Sequence, residues 1–195
     1  MRPKRAARFT GALGLIALAF TTACDDDFGP VDWDATPDTV DLYSWVREEY
    51  RRLPTGYDLL SGRHGQRVAV DDPGSSGNWD FALLEGDDEL ILLPAGALTD
   101  LGATGAGILT LSELDFEGVT KVPGGRDTYL ESDPVTAEVG RLYALRSRRY
   151  YGIIGQDCHL YGLLRPISID LAEGILRFEV IRNPNCNDRS MVPPK

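Results

Sequence analysis

Chemistry at neutral pH needs groups that titrate there or bind metals, and this chain supplies few. It has two histidines, His64 and His159, and three cysteines, Cys24, Cys158 and Cys186. Imidazole is the only side chain whose ordinary pKa falls between pH 5 and 8, so acid–base and metal chemistry converge on two positions. His159 directly follows Cys158, the residue types of a thiol nucleophile and its base. Adjacent residues of a strand point to opposite faces, however, which separates the pair. Gly74-Ser75-Ser76-Gly77 departs from Gly-x-Ser-x-Gly and leads into a strand pattern where a nucleophile elbow needs a helix. Gly102, Gly105 and Gly107 miss the dinucleotide spacing. Glu85, Asp87, Asp88 and Glu89, like Asp71 and Asp72, could offer oxygens to calcium but lack the offsets of an EF-hand loop, and read as solvated turns. No nucleophile, base and orienter assemble from this inventory, so a non-enzymatic protein is expected.

The cysteines point to export. Residues 1–23 carry Arg2, Lys4, Arg5 and Arg8 with no acid, followed by the apolar run Phe9–Phe20. That run falls short of the roughly 20 residues a membrane-spanning helix needs, so 1–23 reads as a signal peptide. Thr21-Thr22-Ala23-Cys24 resembles the lipobox of bacterial lipoproteins. The resemblance implies cleavage before Cys24 and a lipid on its sulfur, anchoring the chain to a membrane outside the cytoplasm. Thr21 stands where a lipobox usually has Leu, which leaves an ordinary signal-peptidase cut as the alternative. Lipidation of Cys24 would also leave Cys158 and Cys186 as an even pair, expected to form a disulfide in an oxidising envelope.

The 195 residues contain 20 Lys and Arg against 30 Asp and Glu. Loss of the four basic residues of the leader makes the mature chain more acidic still, a field that disfavours nucleic acid and anionic lipid surfaces as partners. Asp25 to Asp38 is rich in Asp, Gly and Pro and too poor in apolar surface to fold alone. The expected organisation is a signal peptide over 1–23, a lipidated, flexible acidic tether over 24–38, and a single β-rich domain over 39–195.

Within that domain the patterning is short and strand-like. Val40 and Leu42 open an alternating strand. Trp45 to Leu53 is the one candidate for a short helix, ended by Pro54. Trp79–Leu84 and Glu89–Leu93 flank an acidic turn as a hairpin, its second arm continuous enough to be central. Further strands are expected at Arg67–Val70, Ile108–Leu111, Val119–Val122, Val135–Val139 and Leu142–Arg146. The fold class is therefore all-β or β-dominated, an antiparallel sheet or sandwich with one short N-terminal helix. The last hairpin carries a register test: pairing Asp170 with Gly174 places Arg165 opposite Glu179, Leu164 opposite Val180, and Cys158 opposite Cys186, at a separation a disulfide can bridge.

Asn78-Trp79-Asp80-Phe81-Ala82, the Leu90–Leu93 arm with its glycine-rich loop, and Tyr161-Gly162-Leu163-Leu164 resemble the HmuY-like lipoproteins over about residues 78 to 181. The resemblance implies a β-rich, membrane-anchored protein, and haem binding through His or Met. The mature chain's residues of those types are His64, His159 and Met191. Two functions follow as expectations: a cofactor-free binding or envelope-interaction module with an undefined protein or small-ligand partner, or a haem or small-ligand carrier using His159 or His64.

Overall fold

Leu176, Phe178 and Val180 are fully buried along one face of a strand while Arg177 and Glu179 occupy the other, the period of two that a half-buried strand requires. The computed structural model describes residues 30–98, 104–113, 115–152 and 155–194. The leader and Cys24 lie outside the described residues. The strands are β1 (Asp38–Tyr43), β2 (Gly56–Asp58), β3 (Gln66–Val68), β4 (Phe81–Glu85), β5 (Leu90–Pro94), β6 (Gly107–Thr110), β7 (Val135–Thr136), β8 (Tyr143–Arg146), β9 (Tyr150–Tyr151), β10 (Asp157–Cys158), β11 (Tyr161–Asp170) and β12 (Ile175–Asn183).

They form two five-stranded antiparallel sheets in a sandwich-like arrangement. One has the order β1-β12-β11-β8-β6, the other β3-β2-β4-β5-β7, and β9 and β10 make a small third ladder. The facing sides bury Leu42, Tyr143, Leu145, Leu164 and Phe178 from the first sheet against Tyr57, Phe81, Leu83, Leu90 and Leu92 from the second. Each such large side chain contributes about 1.5–3 kcal/mol on burial. The first sheet is apolar on its other face too, where Leu163, Ile181 and Ala144 meet Phe116, Val119, Val122 and Met191.

The expected register holds from Tyr161 to Pro166, where Leu164 faces Val180 and Arg165 faces Glu179. The Arg165–Glu179 pair closes at 2.7 Å. A bulge between Pro166 and Ser168 then shifts the pairing by one, so Asp170 faces Ile175 rather than Gly174. Cys158 and Cys186 form a disulfide with Cα atoms 5.1 Å apart.

Two local expectations are corrected. Trp45 to Leu53 contains only a 3-10 turn at Glu48–Tyr50 that buries nothing, because Val46 and Leu53 are exposed and no apolar stripe supports a longer helix. Val119 to Val122 is not a strand: Phe116, Val119 and Val122 recur every third residue around a 3-10 turn and cap the sheet's outer face. The Leu90–Leu93 arm is an internal strand, as expected, paired with β4 on one side and the two-residue β7 on the other, and it alternates between buried and half-buried.

Candidate functional site

The polar groups that converge in the domain lie where β8 leaves the first sheet. The segment between β10 and β11 carries His159, and the imidazole is fixed from three sides. Its Nδ1 lies 2.8 Å from the Ser147 carbonyl oxygen, an acceptor, so Nδ1 carries the proton. His159 N–H donates to Asn187 Oδ1 at 3.0 Å, Asn187 N–H donates to the His159 carbonyl at 2.9 Å, and Asn187 Nδ2 donates to the Asp157 carbonyl at 2.8 Å. Asn187 does this from a left-handed backbone conformation, φ 57°, which asparagine tolerates better than most residues. The Cys158–Cys186 disulfide ties the residues preceding His159 and Asn187.

Gly105 supplies the third side: a Cβ there would stand 2.7 Å from His159 Cε1. The Gly105 carbonyl in turn accepts from Arg146 Nε at 2.7 Å. Arg146, at the end of β8, is buried, pairs with Glu131 at 2.6 Å and lies 5.0 Å over the Tyr129 ring. Gly105, Glu131, Arg146 and His159, with Arg149, Asp157 and Tyr161, line an open cleft of about 300 Å³. None of the described residues hydrogen-bonds His159 Nε2, so the ring presents a lone pair as acceptor or ligand. Burial holds its pKa below the ordinary histidine value, against the opposing pull of the Ser147 carbonyl, so the neutral form is favoured.

The structure does not bring the other candidates here. His64, in the loop between β2 and β3, is fully buried, and its Nδ1 accepts the Arg182 backbone N–H at 3.1 Å. Met191 packs into the outer-face core. Cys158 is held in the disulfide and so offers no thiol to His159. Glu85, from the acidic turn, is bound by Arg47 at 2.7 Å.

A second buried polar cluster escaped the sequence reading. Asp58 accepts from Arg148 Nη1 at 2.7 Å, and Asp80 accepts the backbone N–H groups of Leu59 at 2.6 Å and Arg148 at 2.5 Å. These bonds join the second sheet to the segment after β8. Burial pushes the Asp80 carboxyl up to about 6 despite the neighbouring Arg148 guanidinium. The available signal was an Asp inside the otherwise apolar run from Trp79 to Leu84.

No family model matches the chain, and a search of curated proteins finds no match.

Proposed function

We propose that this chain is an exported, lipid-anchored, non-enzymatic binding module of the bacterial cell envelope that holds a small polar ligand in the His159 cleft. The observation that carries the reading is His159 itself. One ring nitrogen is spent on a backbone carbonyl and the other faces an open cleft, held by Asn187, Gly105 and the disulfide. Preorganisation of this kind lowers the ordering cost of binding. Export and anchoring rest on the basic leader and on Cys24, and the disulfide is consistent with an oxidising compartment.

Haem, which the HmuY-like resemblance implies, finds one suitable ligand here and an unsuitable cleft. A histidine with Nδ1–H on a carbonyl and Nε2 exposed is oriented as metal-binding imidazoles are. The cleft, however, is at the lower end of the roughly 300–1,000 Å³ of small-molecule sites, and Glu131, Arg146, Arg149 and Asp157 make its walls charged. A small polar ligand fits that lining better than a porphyrin face.

The test is intact mass spectrometry of the full-length protein extracted from its own membrane. Denatured spectra are expected to show acyl chains on Cys24, and native spectra a retained small molecule that His159→Ala loses. A Cys24→Ala protein that stays in the membrane fraction refutes the anchor. A native mass with no added ligand, or one unchanged by His159→Ala, refutes the binding site.

A further inference from the structure

A separate chamber lies under the segment that leads into β1. Val31 to Asp34 form a strap along one side of a cavity of about 290 Å³, and Arg63, His64, Arg182 and Pro184 line the other. The strap is latched at two points. Asn185 brackets Val31, accepting its N–H at 2.6 Å and donating to its carbonyl at 3.1 Å, and Asp34 pairs with Arg63.

Two nitrogens of this chamber's residues have no hydrogen-bond partner. Because His64 Nδ1 accepts from the Arg182 backbone, the neutral ring carries its proton on Nε2, and that N–H is buried without a partner at hydrogen-bond geometry, although the Thr36 backbone lies near enough to the ring to favour its protonation. Arg182 is 5 % exposed, and its Nε–H is likewise buried and unpaired. The rest of its guanidinium donates only to neutral backbone carbonyls, those of Leu59, Ser61 and Gly62. Among the described residues no carboxylate lies within ion-pairing distance of Arg182; the nearby Asp58 is bound by Arg148. A buried guanidinium without an anionic partner and two donors without acceptors are each costly. An oxyanion within reach of both donors would relieve all three.

We propose that this chamber is a second binding site, for a small carboxylate with an apolar body, and that the strap is its lid. The carboxylate accepts from His64 Nε2 and Arg182 Nε in the space that the lifted strap vacates, where Pro184 offers apolar wall. Asp34 is neutralised by Arg63, while Asp32 on the strap and Asp38, whose charge acts on the His64 ring, are the carboxylates an anion here must tolerate. Both donors are walled off from solvent, so entry requires the strap to lift, which breaks the Asn185–Val31 and Asp34–Arg63 contacts. Binding and lid closure therefore compete.

The test uses the full mature protein with benzoate as probe, benzyl alcohol as the uncharged analogue and chloride as a simple ion, read as ligand-dependent shifts in Tm. Benzoate is expected to raise Tm where benzyl alcohol and chloride at equal concentration do not. His64→Phe keeps the ring bulk but loses both the Nε2 donor and the Nδ1 acceptor of the Arg182 N–H, and is expected to weaken benzoate at least about tenfold. His64→Gln keeps a donor and an acceptor and is expected to retain binding. Asn185→Ala, which removes both bonds to Val31 together with the Asn185 Nδ2 bond to Asn183 Oδ1, is expected to strengthen binding by removing the competition. No shift with benzoate, an equal shift with benzyl alcohol or chloride, or unchanged affinity in His64→Phe overturns the site. Weaker binding in Asn185→Ala overturns the lid.

Discussion

Gly105 and His159 are fitted to one another: the imidazole occupies the space a Gly105 side chain would fill, with Cε1 2.7 Å from the position of a Cβ. Gly105 also has φ +78°, where any other residue is strained. Gly105→Ala is therefore expected to destabilise the fold by about 1–2 kcal/mol and to push the ring off the Ser147 carbonyl. The His159 imidazole signals in NMR report that displacement directly. Unchanged shifts and an unchanged tautomer would show that the ring does not depend on this contact.

The Cys158–Cys186 bond closes a loop of sequence separation 28 around β11 and β12. In the chain-entropy description its loss costs about 3–4 kcal/mol. Cys186→Ser paired with Cys158→Ser should lower the urea midpoint accordingly and raise hydrogen exchange at His159 and Asn187, whose mutual backbone bonds sit beside the two sulfurs. A double variant with wild-type protection at both amides would separate the disulfide from the positioning of His159.

The sheets were legible because their cause is local. Leu176, Phe178 and Val180 alternate with polar residues, and that period places them on one face whatever the partner strand. The register of the last hairpin, set by pairing Asp170 with Gly174, held where Arg165 meets Glu179 and Leu164 meets Val180, and failed beyond Pro166, the proline that already marked a place for a bulge. The site was less legible because it is assembled from distant segments. His159 could be singled out as one of two imidazoles, but its orientation depends on Ser147, Asn187 and Gly105, brought together by the fold. His64 looked equivalent in sequence, and only burial against Arg182 separates the two. Glu48, Glu49, Arg51 and Arg52 suggested a helix because they favour one intrinsically, a preference that counts for little without an apolar face to pack.

Asp58 and Asp80 share the guanidinium of Arg148 inside the fold, and burial makes Asp80 hold a proton more tightly than in the unfolded chain despite that neighbour. Asp80 has its carboxyl pushed up to about 6 from an ordinary 3.8, chiefly by burial. The folded state thus binds more protons between those values, and this group's contribution to stability falls as pH rises through about 4 to 6. The slope is roughly 1.4 kcal/mol per pH unit, on the order of 3 kcal/mol in total. Asp80→Asn removes the slope, so the penalty of that substitution should be largest near pH 4 and shrink toward pH 7. Urea titrations of both proteins across that range measure the difference, in which the opposite contributions of Asp41 and Glu85 cancel. A penalty independent of pH would place the proton elsewhere.

His64 acts in the opposite direction. Burial holds its pKa below the ordinary 6.5, while the charges of Asp38 and Asp34 oppose that shift and Arg63 adds to it. Protonation would turn Nδ1, which accepts the Arg182 N–H, into a donor facing a donor, beside a guanidinium. The neutral ring's contribution is therefore complete above pH 6.5 and is lost as pH falls through the depressed value in the fold. His64→Gln preserves an acceptor and does not titrate, so relative to it the wild-type protein should lose stability steadily below pH 6.5. Hydrogen exchange at the Arg182 amide is the local readout: it should accelerate on acidification in the wild type, beyond the intrinsic pH dependence, and not in His64→Gln. Equal behaviour of the two proteins would mean that the ring is not the group that senses the proton.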